Sequence, residues 1–171
     1  RDFIDGIVDR VNGLKPDLVA ITGDLVDGRV SVLREHTAPL ARLDARHGAF
    51  FVTGNHEYYS GVHEWLDEVR RLGVTPLVNE HRVIEHDGAR LLVAGITDHR
   101  AESIVAAHAP DPAAAVAGAP ACDMKLLLAH QPRSAEYSVD EGFDLMLCGH
   151  THGGQFMPWT FVVPLIEPFA V

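Results

Sequence analysis

The sequence predicts an α/β sandwich of mixed β-sheets flanked by helices, and three observations carry that prediction. Short apolar runs of strand length alternate with stretches whose apolar residues recur at helical spacing, as in strand and helix units that pack in layers. Three of these runs close on a glycine followed by a polar side chain, at Gly23-Asp24, Gly54-Asn55 and Gly149-His150. The pair Asp87-Gly88 stands between two strand-like segments and signals a tight hairpin, which makes the sheet mixed and not purely parallel. At 171 residues and 47% hydrophobic content, the chain has enough apolar material for one substantial core and is read as a single domain over residues 1–171.

The elements follow in order. RDFIDGIVDRVNGL opens the chain, with Phe3, Ile4, Ile7, Val8, Val11 and Leu14 at helical spacing. Beyond Lys15-Pro16, Leu18 to Thr22 reads as a strand. A helical stretch from Ser31 to Arg46 is disturbed by Pro39 and stopped at Gly48. Phe50 to Thr53 is the next strand. Ser60 is then expected to cap a helix whose Val62, Trp65, Leu66, Val69 and Leu72 form one apolar stripe, ended by Gly73. Arg82 to Glu85 and Arg90 to Ile96 are the arms of the hairpin. Asp111 as cap, Pro112 at the first helical position and an alanine run before Gly118 predict a short helix where composition alone reads as linker. The runs ending at Ala129 and Cys148 supply the last strands.

Four of the apolar runs end on residues that bind metals: Asp24 after DLVAITG, Asn55 after AFFVTG, His130 after KLLLA, and His150 with His152 after DLMLCG. Parallel strands gather their carboxyl ends along one sheet edge, so ligands far apart in sequence meet there. Two divalent ions roughly 3.5–4 Å apart need a bridging carboxylate and further oxygen and nitrogen donors, and Asp24 is the natural bridge. Glycines before the ligands let the backbone turn sharply and approach closely. If the last segment is extended, His150 and His152 point to one face and both imidazoles reach one cluster.

These motifs carry a family resemblance. ITGDLVDG, GNHEYY, LLLAHQP and CGHTHGGQ, in that order and spacing, resemble the calcineurin-like metallophosphoesterases, in particular their bacterial phosphodiesterase branch, many of whose members are membrane-anchored or exported. The resemblance spans nearly the whole chain. It implies a metallophosphoesterase-type sandwich with two divalent ions of the manganese, iron or zinc kind, bridged by Asp24. Asn55, His130 and His150 would serve one ion and His152 the other. His56 of GNHE would contact the phosphate and leaving oxygen as the catalytic acid. The family's first strand ends in Asp-x-His, which no part of this sequence contains. The expectation is therefore a partial domain, without that strand and without the C-terminal strands, in which the second metal keeps only Asp24 and His152. Any membrane association would come through segments outside this chain.

Charge and the remaining residues bound the reading further. A formal charge of −10 disfavours a surface that tracks nucleic-acid phosphates, since counterion release needs clustered Lys and Arg. Cys122 and Cys148 match no zinc or disulfide framework, and Cys148 is expected in the core. Asp98 and His99 follow a strand and share the functional edge without matching a ligand motif. His36, His47, His63, His81, His86 and His108 are read as solvated or capping. A turn bond suffices for Asp27, and Glu57 either orients His56 or starts a helix. Tyr58 and Tyr59 are read as packing at a helix start before lining a cleft. FMPWTFVVPLIEPFAV is too short and too broken by proline to span a membrane and reads as core, with a wall for a lipid-like or aryl substrate as the alternative.

Together these features predict metal-assisted hydrolysis of a phosphoester, in which a hydroxide bridging the metals attacks phosphorus and His56 protonates the leaving alkoxide. The substrate class is a small-molecule or lipid-like phosphoester. The alternatives are a non-catalytic scaffold on the same fold and a nuclease using the same centre. Localisation stays open.

Overall fold

A computed structural model describes residues 2–166 and 169. Arg1, Glu167, Pro168, Ala170 and Val171 lie outside them, and with them the ends of the opening helical run and of the closing apolar run. Among the described residues the strands form two sheets. In the first, β1 (Val19–Ile21), β2 (Ala49–Phe51) and β3 (Thr75–Pro76) run parallel in that order. In the second, β4 (Glu80–His86) pairs antiparallel with β5 (Ala89–Gly95), and β6 (Met124–Leu128) and β7 (Leu145–Leu147) continue it in parallel.

Alternation of side chains along the strands sorts the core into layers. Phe50 and Val52 from the first sheet meet Leu77, Ile84, Val93, Leu126 and Leu128 between the sheets. Ala49 and Phe51 face the other way, onto Tyr58 of α3 (Asn55–Ser60) and Val62, Leu66 and Val69 of α4 (Val62–Arg71). The outer face of the second sheet, Leu92, Ala94, Ile96 and Leu127, packs on Ala115 of α5 (Pro112–Val116) and Tyr137 of α6 (Ser134–Ser138). The predicted sandwich of helix, sheet, sheet and helix is the observed one. Because both faces are covered, the strands read as continuous apolar runs.

Local predictions hold where a backbone signal is strong. Asp87 (φ 49°) and Gly88 (φ 86°) turn the hairpin in the left-handed conformations that such a pair supplies. Asp111 caps α5 by accepting the Ala114 N–H at 2.8 Å. Elsewhere tertiary contacts decide. The stretch from Ser31 to Arg46 is α2 (Val30–Thr37) followed by a tight 3-10 turn, Ala38–Arg42, in which Pro39 and Leu40 are buried. Ser60 does not cap α4. The preceding residues form α3, Gly61 separates the two helices, and the Ser60 hydroxyl accepts the Gly28 N–H instead. In α1 (Asp2–Gly13) only Val8 is fully buried, while Phe3, and Leu14 just beyond the helix, stand in solvent. Salt bridges from Arg42 to Asp5 and Asp9, each 2.8 Å, hold α1 against the 3-10 turn. The closing segment holds a short helix, α7 (Trp159–Ile166), with Phe161 and Leu165 exposed and not in a core. No helix among the described residues is long and apolar enough to cross a membrane.

Candidate metal centre

β1 ends at Ile21, and beyond Thr22 the chain turns through left-handed conformations at Gly23 (φ 88°) and Asp24 (φ 52°). β2 ends at a matching turn, and the two fit together backbone against backbone. A β-carbon on Gly23 would lie 2.5 Å from the Gly54 nitrogen and 2.7 Å from His130 Nδ1. One on Gly54 would overlap Asp24 Oδ1 and sit 2.5 Å from the Asp24 nitrogen. Only glycine fits at either place.

The Asp24 carboxylate is gripped on both oxygens. Oδ1 accepts the His56 N–H at 3.0 Å, and Oδ2 lies 3.0 Å from His130 Nε2. Burial works to raise its pKa, but the His130 and His56 hydrogen bonds and the nearby histidines outweigh that and hold it below the usual carboxylate value. His130 is buried at the end of β6, and its Nδ1 donates to the Thr22 carbonyl at 2.7 Å, because a carbonyl can only accept. In the neutral ring Nε2 is then an acceptor, facing Asp24 Oδ2 and, at 3.1 Å, His150 Nδ1. Burial lowers the His130 pKa, yet the bonds to Asp24 and Thr22 and the Asp24 charge raise it overall. Asp24, His130 and His150 each offer one ligand atom, all within 4.8 Å of one another. Acceptors gathered this closely need a proton or a cation among them.

Asn55 supplies the second sign of a cation. It is buried in the first turn of α3, and its Oδ1 has no hydrogen-bond partner. An orphaned amide oxygen on the residue after Gly54, whose turn interlocks with the Asp24 loop, fits a hard or borderline divalent ion, and the oxygen and imidazole donor set agrees.

His150 and His152 do not share a face. Both have positive φ (70° and 51°) and Thr151 between them is helical, so the segment coils where an extended one was expected. His150 joins the group. His152 is exposed and bonds Gln155 through Nδ1 at 3.2 Å, although it lines the same cavity of about 530 Å³ as Gly23, Asp24, His130 and His150. Cys148 lines it too and is exposed, contrary to the expected core position, because β7 is an edge strand with its terminal residues open. Asp98 is buried at the end of β5 and accepts from Gln131 Nε2 at 2.8 Å, one strand from His130 and outside the ligand group.

His56 stands beside the group with Nε2 4.0 Å from Asp24 Oδ2 and Nδ1 3.1 Å from Asp27 Oδ1. Asp27 is thus the carboxylate that meets the His56 ring, a contact its sequence reading as a turn residue missed. Glu57 does start the helix, as one of its two readings had it, and it holds more than the helix end. Its carboxylate is buried under the two glycine turns and accepts the N–H groups of Asp24 and Gly54 on Oε2 and of Leu25 and Val26 on Oε1, at 2.6–3.3 Å. Burial, helped by the Asp24 charge, pushes its pKa up to about 7 against the pull of those bonds. The signal available in sequence was its place three residues after Gly54, the spacing of a capping box. Tyr58 packs, as expected, with its hydroxyl 3.0 Å from His108 Nδ1, and Tyr59 is exposed beside the His56 ring.

A family model described as calcineurin-like phosphoesterase matches residues 1–154. The transmembrane protein with metallophosphoesterase domain of Bos taurus is 40% identical over 179 residues, covering 99% of this chain and 40% of its own length. Phosphodiesterase YaeI of Escherichia coli is 35% identical over 164 residues, covering 91% of this chain and 54% of its own. The chain therefore spans about half or less of these relatives. Among solved structures, a Haemophilus influenzae NAD nucleotidase superposes with a TM-score of 0.60 at 19% identity, over 87% of this chain and 36% of that one. The Thermus thermophilus sulfate thiohydrolase SoxB gives 0.59 at 19%, over 88% and 33%. At such identities the likeness concerns the fold.

Proposed function

The chain belongs to the calcineurin-like phosphoesterase family, and on that premise we propose that it hydrolyses a phosphodiester, or secondarily a phosphomonoester, at a centre for two divalent metal ions. One observation carries this reading: Asp24 Oδ2, His130 Nε2 and His150 Nδ1 converge on one point. The orphaned Asn55 Oδ1 on the adjacent turn strengthens it. Asp24, Asn55, His130 and His150 would hold one ion, with Asp24 shared and His152 serving the other. Bound ions would acidify water and neutralise phosphoryl oxygens. The protein's own part is to orient and to move a proton. His130 is fixed by its bond to the Thr22 carbonyl, so its Nε2 stays aimed at the centre. His56 is the acid: Asp27 holds Nδ1 and leaves Nε2 on the side of Asp24, where a leaving alkoxide takes its proton. A net charge of −10 repels polyanions, which favours a small-molecule or lipid-like phosphoester over nucleic acid.

The test is hydrolysis of an aryl phosphodiester by the full-length protein with and without manganese, with Asp24→Ala as control. Manganese-dependent turnover that the substitution abolishes supports the reading. Equal rates in parent and variant, on diester and monoester alike, overturn it in favour of a non-catalytic scaffold.

A further inference from the structure

Glu57 touches none of the atoms assigned to metals or substrate, yet four peptide groups of the two ligand turns bond to it. Its carboxylate is 1% exposed, and among the described residues no ion pair involves it. A charge so buried is tolerated only when its lone pairs are filled. Here they are filled by four backbone N–H groups, three from the loop after β1 and one from the turn after β2. Asp24, Leu25 and Val26 leave the strand with no ladder partner, so the carboxylate satisfies donors that would otherwise be orphaned. It also joins the loops at their tightest approach, where a single methyl group on Gly23 or Gly54 would not fit.

We propose that Glu57 is a positioning residue of the centre, the side chain whose two oxygens set the Asp24 loop against the Gly54 turn so that Asp24 and Asn55 reach the metals as one rigid pair. The inference rests on the metal reading above. Asp24 depends on the clamp because its left-handed backbone is otherwise disfavoured and its peptide N–H is held by Oε2. Asn55 depends on it because Gly54, its direct neighbour, is held by the same oxygen. From the opposite side, the His56 N–H fixes Asp24 Oδ1, which closes a ring of contacts from Glu57 through Asp24 and back into α3.

The chemistry makes this role specific to a carboxylate. An ionised carboxylate is acceptor-only with about four lone-pair sites, matching the four donors. Glutamine has the same shape but one oxygen, so it loses two bonds and sets an NH₂ against two N–H groups. Aspartate keeps both oxygens and falls short by one methylene.

The decisive experiment compares manganese affinity with folding stability in Glu57→Gln, Glu57→Asp and Ser60→Ala, all in the full-length protein. Ser60→Ala frees the Gly28 N–H of the same loop without touching Glu57. The expected result is that Glu57→Gln remains folded and binds manganese about ten- to a hundredfold more weakly. Its kcat on the aryl phosphodiester falls while KM moves less than threefold. Ser60→Ala binds manganese as the parent does. A folded Glu57→Gln within threefold of the parent in manganese affinity, whatever its loss of stability, makes Glu57 a structural strut and overturns the proposal. If Glu57→Gln does not fold, the same criterion applies to Glu57→Asp. A parent that takes up no manganese overturns the metal reading itself, and this inference with it.

Discussion

Gly54→Ala isolates the interlock of the two ligand turns, because nothing but steric contact opposes it. Gly54 has φ −99° and ψ −176°, an extended conformation open to any residue, so the substitution brings no backbone strain. The added methyl would overlap Asp24 Oδ1 and stand 2.5 Å from the Asp24 nitrogen and 2.9 Å from its Cγ. All three atoms belong to the proposed bridging ligand, so whatever yields must move Asp24. Overpacking of this kind costs about 1–3 kcal/mol, offset by about 0.4–1 kcal/mol from the stiffer unfolded chain. The net loss expected is about 1–2 kcal/mol. Gly95→Ala is the matched control: its methyl would collide with Leu77 and reach Val52 Cγ1 at 2.6 Å, between the sheets and away from the site. Urea unfolding should show similar losses in both variants. Calorimetric titration with manganese should separate them, Gly54→Ala losing at least tenfold in affinity and Gly95→Ala keeping the parent value. Parent-like manganese binding by Gly54→Ala, or equal weakening in Gly95→Ala, would refute the reasoning.

Three further outcomes follow from the geometry. His150→Ala removes a member of the converging group and should cut manganese affinity at least tenfold, whereas His152→Ala, already turned to solvent, should lower only the second equivalent; metal analysis after dialysis distinguishes them. Asp27→Asn leaves every proposed ligand in place but takes the charge from the partner of His56, so turnover should fall at unchanged metal content, and a normal rate would remove Asp27 from the acid's machinery. Glu57 gives the metal-free protein a pH signature. Its pKa is raised from 4.5 to about 7 on folding, so its contribution is fully present below about pH 4.5 and lost as the pH rises through 7, a change of about 3 kcal/mol in a group this buried. Urea unfolding in chelator across that window should show the decline in the parent and a flatter profile in Glu57→Gln; matching profiles would contradict the shift.

Much of the architecture was legible because it depends on pattern. Apolar runs such as Ala49 to Thr53 and Leu126 to Ala129 are buried, and the parallel strands of each sheet carry Asn55 in the first sheet and His130 in the second just beyond their carboxyl ends. The Asp87-Gly88 turn and the Asp111 cap were legible for a different reason: each is a local backbone preference that no distant contact contradicts. Pro39 disturbs the helical stretch as expected, since α2 stops at Thr37 and a 3-10 turn follows. Ser60 was misjudged because a neighbour far in sequence decides its role: its hydroxyl goes to Gly28, thirty-two positions away.

The site shows the same division more sharply. Residue type and strand position were enough to expect Asp24, His130 and His150 in one group, because side chains beyond the ends of parallel strands need only the two packed sheets to bring them together. His152 required the local φ of two histidines and a threonine, and the alternation rule that aligned it with His150 applies only to extended chain. Asp27 and Glu57 were harder still, since Asp27 and, beyond its bond to Gly54, Glu57 make their contacts outside their own elements. Asp27 reaches across to His56, and Glu57 reaches back 31–33 positions to three peptide groups. A ligand is recognisable by what it is, but the residues that aim it are recognisable only by what they hold. That explains why Asp27 was legible only as a turn residue, and Glu57 only as a partner of His56 or a helix start, although Glu57 also holds the Asp24 loop.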